Sequence, residues 1–287
     1  MKRVRILHHG TLASGRLEGP LILLDDESVV AERDARYLAP IQPTKILATH
    51  LSYRSRAREF GMQQLPAVPS YFLKPLSSLS YHRASVARPH GCQFLNYEGE
   101  IAVVIGKRCS AVRVEDALGY VAGYTIANDW GIHDFHHADR GSLLRVKGQD
   151  GFCPLGPALV DAQEVDPDEF VLRTYVNGKP VQEGSVREDL MFPFAYMVAD
   201  LSRLITLEPG DVLLTGTPAN SRPVEIGDVV AVEVEGLGRL ENTVVELDRD
   251  LDGPGAQPAV TLQTLASGLG LSQERAAQEL QARTRKA

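Results

Sequence analysis

Asn96-Tyr97-Glu98-Gly99-Glu100-Ile101-Ala102-Val103-Val104 places two carboxylates two residues apart at the head of an apolar run. Side chains in a strand alternate faces, so Glu98 and Glu100 would project from the same one. Like charges that close repel unless a cation or a proton lies between them, and an oxygen-only donor set suits Mg²⁺, Mn²⁺ or Ca²⁺ rather than zinc. The plainer alternative is a solvated strand edge, because Glu-x-Glu is a common spacing. A third acid bears on that choice. Residues 120–128 form an apolar strand-like run that leads directly into Asp129, and an acid at the end of a buried strand is costly without a partner. Downstream, Leu144-Arg145-Val146-Lys147 sets a cation among apolar residues. Taken alone, Lys147 reads as an ordinary salt-bridge partner.

The elements that must position these groups are mostly strands. Between Lys45 and Asp248 the pattern predicts strands over residues 101–105, 120–126, 170–176, 212–215 and 229–234. Asn177-Gly178 between two strand-like runs predicts a hairpin. Helices are expected over residues 114–118 and 192–205, the second from Phe194, Met197, Val198, Leu201 and Ile205 at spacings of three and four. Glu208-Pro209-Gly210-Asp211 is a turn into the next strand. Three regions follow: a small strand-and-turn module over residues 1–45, a catalytic unit over residues 46–248, and a linker with a helical tail over residues 249–287. The tail reads as an appendage, with Ser272 ahead of Glu274 suggesting a short capped helix.

The chain has 287 residues with 30 basic and 37 acidic side chains. Its net charge of −7 is opposite in sign to what phosphate neutralisation needs, so no nucleic acid is expected as a partner. The tail carries five basic and four acidic groups, which leaves it little electrostatic pull on DNA. No apolar run approaches the ~20 residues of a membrane span. Cys92, Cys109 and Cys153 are odd in number and widely spaced, which fits a reduced, cytoplasmic setting rather than a disulfide framework.

Taken in order, Tyr53 to Glu59, Phe72-Leu73-Lys74-Pro75, Asn96-Tyr97-Glu98-Gly99-Glu100, residues 123–130, Arg145-Val146-Lys147-Gly148, Pro209-Gly210-Asp211 and Thr215-Gly216-Thr217-Pro218 resemble the fumarylacetoacetate hydrolase family. Within it, residues 172–178 and 232–238 are most similar to bacterial isomerase/decarboxylases of aromatic-acid meta-cleavage. The resemblance implies a mainly β fold with short helices (α+β), a mixed β-sheet roll, in a homodimer. It also implies that Glu98, Glu100 and Asp129 hold a catalytic Mg²⁺ or Mn²⁺, and that Lys147 and Thr217 contact a small oxo-acid substrate. A cation held by three carboxylates could chelate the carboxylate and 2-oxo oxygen of such an acid as a Lewis acid, with Lys147 stabilising the developing enolate.

Two departures from the family pattern matter. Its hydrolases and oxaloacetate decarboxylases carry Tyr-x-x-His-x-x-Glu on an early loop, where the His-Glu dyad activates water or shuttles a proton; here the run is Tyr53-Arg54-Ser55-Arg56-Ala57-Arg58-Glu59. Arg56 cannot act as a base, since guanidinium stays protonated. It is either a bidentate clamp for a second substrate carboxylate or part of an exposed basic loop. Glu59 keeps its place as a catalytic candidate without its usual partner, and Tyr53 is carried over as a substrate-binding candidate. Four residues beyond Asp129, where relatives place Arg, stands His133. It is a candidate replacement base, against the plainer reading of a core or surface histidine. The leading expectation is therefore a metal-dependent isomerase or decarboxylase of a 2-oxo or 2-hydroxydienoate dicarboxylic acid. The alternatives are a C–C hydrolase of acylpyruvates or diketo acids, and a metal-binding family member without activity.

Overall fold

The structure, a computed structural model, describes residues 1–139, 141–249 and 253–285. Its larger sheet has twelve strands. The main path runs Val29–Ala31, Leu21–Leu24, Thr11–Glu18, Lys2–His8, Cys153–Asp161, Val121–Asn128, Gly99–Ile105, Val212–Leu214, Ile46–Thr49, Tyr71–Lys74. Neighbours along it are antiparallel except Ile46–Thr49 against Val212–Leu214. A five-stranded sheet runs Lys179–Ser185, Val171–Val176, Val229–Val234, Gly238–Glu246, Ser85–Arg88. The main core lies between the sheets, with Ile101, Val103 and Ile126 of the first meeting Leu172, Val232 and Leu240 of the second. The expected fold, mainly β with mixed sheets and short helices, is the one observed.

The helices among the described residues are α1 (Arg54–Glu59), α2 (Val114–Ala117), α3 (His136–Asp139), α4 (Leu144–Lys147), α5 (Val186–Asp189), α6 (Phe194–Ser202), α7 (Leu262–Leu269) and α8 (Gln273–Thr284). None is long and apolar enough to cross a membrane. The three cysteines are buried and unpaired.

Several local signals were decisive. Asn177 and Gly178 take positive φ values of 50° and 76°, the geometry that a two-residue hairpin between right-twisted strands requires, and they join Val171–Val176 to Lys179–Ser185. The helix expected over residues 192–205 is shorter, because Pro193 is its N-cap and Leu204 turns outward to 85% exposure. At the 208–211 turn, the Asp211 carboxylate accepts from Glu208 N at 2.7 Å, Thr44 Oγ1 at 2.6 Å and Lys45 N at 3.1 Å. That side chain ties the end of the N-terminal module to the Val212 strand and starts the parallel pairing. The N-terminal strands extend the larger sheet, with Lys2 and Arg3 paired to Val160 and Leu159. The tail folds back rather than standing apart, burying Leu265, Ala266 and Ala276 against Phe94. Its capped helix, introduced by Ser272, is 12 residues long.

Candidate active site

Gly99–Ile105 is buried along its whole length between two neighbouring strands. Its register against Val121–Asn128 pairs Gly99 with Asn128 and Glu100 with Ala127, which brings Glu98 beside Asp129. The junction is pinned from both sides, as Asp129 N donates to Glu98 O and Glu98 N to Asn128 Oδ1, each at 2.8 Å. Period two then puts Glu98 and Glu100 on one face with Asp129 next to them. One oxygen from each carboxylate lies within 4.8 Å of the others.

Lys147 is the last residue of α4, whose start is capped by the Asp139 carboxylate accepting from Arg145 N at 2.7 Å and Val146 N at 3.1 Å. Leu143, just before it, sits in the left-handed region at φ 56°, a strained conformation of the kind that clusters at functional sites. The Lys147 ammonium donates to Glu98 Oε2 and to Asp129 O, both at 2.6 Å, and lies 3.0 Å from Asp129 Oδ2. It packs so closely over Gly131 that a Cβ there would come within 3.2 Å of Nζ.

The charges sort by their neighbours. Burial and then the charges of Asp129 and Glu98 push Glu100 well above the ordinary carboxylate range. Its counterweight is Gly216 N, which donates to Oε2 at 2.7 Å. Burial also works against the Glu98 charge, but Lys147 and Arg56 outweigh it and hold that carboxyl below its usual value. Burial would lower the Lys147 ammonium, yet Asp129 and Glu98 leave it raised. Three oxygen donors this close, with one of them destabilised as an anion, fit a hard divalent cation.

Around the carboxylates lies a polar cavity of about 60 Å³ whose wall includes Arg56, Glu98, Asp129, His133, Lys147 and Thr217. Arg56 is buried; its Nη1 pairs with Glu59 Oε2 at 2.6 Å and its Nη2 lies 3.5 Å from Glu98 Oε1. Glu59 sits behind Arg56, its other oxygen taken by Arg222 Nη2 at 2.5 Å. The exposed basic loop is thereby set aside for this residue. His133 is buried, and among the described residues neither ring nitrogen has a hydrogen-bond partner. Burial, and after it the Lys147 charge, hold it neutral. Thr217 Oγ1 accepts from Gln182 Nε2 at 3.1 Å. Tyr53 is not brought to the cavity: its side chain is fully buried in the main core, and it serves as the residue from which α1 departs.

Sequence reasoning missed four participants. Lys74, fully buried, donates to Asp129 Oδ1 at 2.5 Å and to Lys147 O. It had a signal in the Phe72–Pro75 stretch but no assigned role. Gly216 acts through its backbone at φ 92°, where a side chain would run into Ser52. Arg222 has no motif, and neither does Ser267, which reaches the wall from α7.

The fumarylacetoacetate hydrolase C-terminal family matches residues 45–245, and the chain belongs to that family. A 4-hydroxyphenylacetate degradation bifunctional isomerase/decarboxylase of Salmonella dublin is 39% identical over 245 residues, 85% of this chain and 55% of the relative. The chain thus spans about half the length of the curated relatives it matches. The crystal structure of a 5-carboxymethyl-2-hydroxymuconate delta-isomerase from Mycobacterium smegmatis is 36% identical with a TM-score of 0.78, covering 87% of this chain and all of that one. A maleylpyruvate hydrolase from Sphingobium sp. SYK-6, solved with manganese(II) and pyruvate, is 27% identical with a TM-score of 0.72, over 86% of this chain and 99% of that one.

Proposed function

We propose that the chain is a divalent-metal-dependent isomerase or decarboxylase of a 2-oxo or 2-hydroxydienoate dicarboxylic acid, with Mg²⁺ or Mn²⁺ held by Glu98, Glu100 and Asp129. Such a cation supplies Lewis acidity toward the substrate's carboxylate and 2-oxo oxygens. The observation that carries the preference over hydrolysis is the Arg56–Glu59 pair at 2.6 Å. Where a water-activating dyad would stand, there is a permanent cation whose carboxylate partner is also held by Arg222. Isomerisation and decarboxylation need an electron sink and proton traffic, whereas hydrolysis must also generate a nucleophilic water.

The chain's own groups divide that work. Lys147 Nζ, kept charged between Glu98 and Asp129, donates a hydrogen bond to the oxygen on which enolate charge develops. Lys74 holds Asp129 from its other oxygen, fixing the carboxylate so that Lys147 keeps its aim. Arg56 offers its fork to the substrate's second carboxylate, and Thr217 Oγ1 offers a further hydrogen bond. His133, neutral and unpartnered, takes the proton that leaves one carbon in isomerisation and returns it at another; in decarboxylation the carbon that loses CO₂ gains a proton.

The second reading, a C–C hydrolase, is favoured by His133 itself, since a buried unpartnered imidazole could activate water in place of the missing dyad. Incubating Mg²⁺- or Mn²⁺-loaded protein with oxaloacetate, an acylpyruvate and a hydroxymuconate-type diacid decides between them. Turnover of the diacid with little acylpyruvate cleavage is expected. Efficient acylpyruvate cleavage would transfer the assignment to the hydrolase, and no turnover of any would favour a metal-binding member without activity.

A further inference from the structure

The cavity is completed by a residue well beyond the family-matched stretch. Ser267, on α7, stands on the wall with His133, Lys147 and Thr217. The helix is held at several points that each lead back to the site. Asn96 Nδ2, two residues before Glu98, donates to Gly268 O at 2.8 Å. Gly268 lies so close to Phe94 that a Cβ would come 2.9 Å from the ring. Ahead of the helix, Ala259 N donates to Asp134 O at 3.0 Å, in the turn that begins with His133. At its end, Gly270 adopts φ 62° and lies on the Glu59–Arg222 pair, where a Cβ would come within 2.7 Å of the Glu59 carboxylate and 2.6 Å of Arg222 Nη1. Glu59 in turn holds Arg56.

We propose that the C-terminal hairpin is the specificity-determining wall of the oxo-acid site. Ser267 sets the room available beside His133 and Thr217, and the turn at Gly270 backs Glu59 so that Arg56 is presented at one fixed distance from the carboxylate cluster. The α7–α8 unit thereby selects the length of the diacid, while binding of the end that chelates the cation is left to the strands. This rests on the oxo-acid reading above. Selectivity here is a difference between two affinities, and a side chain that narrows one end of a cavity acts on the ligand that reaches that end.

The test is calorimetric titration of full-length, Mg²⁺-loaded protein with oxalate, a short chelating dianion, and with 2-oxoadipate, a six-carbon oxo-diacid. Ser267→Leu is expected to weaken 2-oxoadipate about tenfold or more while oxalate stays within about twofold. Gly270→Ala, which displaces Glu59 rather than filling the cavity, is expected to shift the same ratio in the same direction. Should Ser267→Leu fail to melt cooperatively, Ser267→Val carries the same comparison. An unchanged ratio of the two affinities in the Ser267 and Gly270 variants, whether both ligands weaken equally or neither does, overturns the wall. Wild-type protein that binds neither ligand overturns the oxo-acid reading itself, and the wall with it.

Discussion

Glu100 is the least comfortable charge in the site, buried between two other carboxylates with a single backbone N–H in support. Replacing it relieves repulsion but removes a donor. Glu100→Ala is therefore expected to fold and to bind Mg²⁺ or Mn²⁺ much more weakly, and calorimetric metal affinity equal to wild type would remove it from the ligand set. In the proposed reading Lys147 serves the developing negative charge more than the resting substrate, so Lys147→Met should lower kcat more than it raises KM; an effect confined to KM would reduce it to ground-state binding. Arg56→Lys keeps the charge and loses the fork, so KM for a dicarboxylate should rise several-fold while a monocarboxylate changes little. That Glu98 and Glu100 share a face was readable from their two-residue spacing at the head of an apolar run, while their joining with Asp129 as a ligand set was implied by the family resemblance. Lys74 and Arg222 were not, since what gives them a role is a partner 55 residues away for the first, Asp129, and Glu59 across the fold for the second.

Among the elements, those ruled by local stereochemistry could be read directly. The Asn177-Gly178 turn demands positive φ at both positions, which only a small set of residues adopts cheaply. Gly178→Ala should cost about 1 kcal/mol in thermal or denaturant unfolding and leave the site's ligand affinities alone. An unchanged melting curve would mean that the turn relaxes to another type. Helix α6 was legible from its apolar stripe, and the tail helices from theirs, with Ser272 capping Arg275 N at 3.4 Å. What the stripe of α7 could not reveal is its destination. Its apolar face announces burial somewhere, and nothing local specifies Phe94 and the cavity rim as the place. The parallel pairing of Ile46–Thr49 with Val212–Leu214 is hidden for the same reason, although it sets the chain leading into α1 beside the Thr217 loop.

For the molecule as a whole, buried histidines couple folding to acidity. His82 is buried beside the N-terminal strands, edge-on to Tyr37, with Nδ1 accepting from Glu241 N at 3.1 Å. Burial, then Arg83 and Arg239, push its pKa down to about 4. The unfolded chain therefore takes up this proton before the folded one, so the contribution is whole above pH ~6.5 and is lost as pH falls toward 4, for a total of about 3 kcal/mol. His82→Asn, whose amide oxygen can still accept from Glu241 N, should flatten the fall in melting temperature between pH 6.5 and 4; an identical pH profile would refute the linkage. The hairpin contact with Phe94 and Asn96 has a consequence of another kind, in the order of manufacture. A ribosome releases the N-terminal part first, so Phe94, Asn96 and all three carboxylates leave it before α7 does. During that interval the nascent chain presents Phe94 and the amide of Asn96 uncovered. That patch stays open to chaperones and proteases until α7 emerges, and a synonymous change that slows translation over residues 249–269 is expected to lower yield without altering a single side chain.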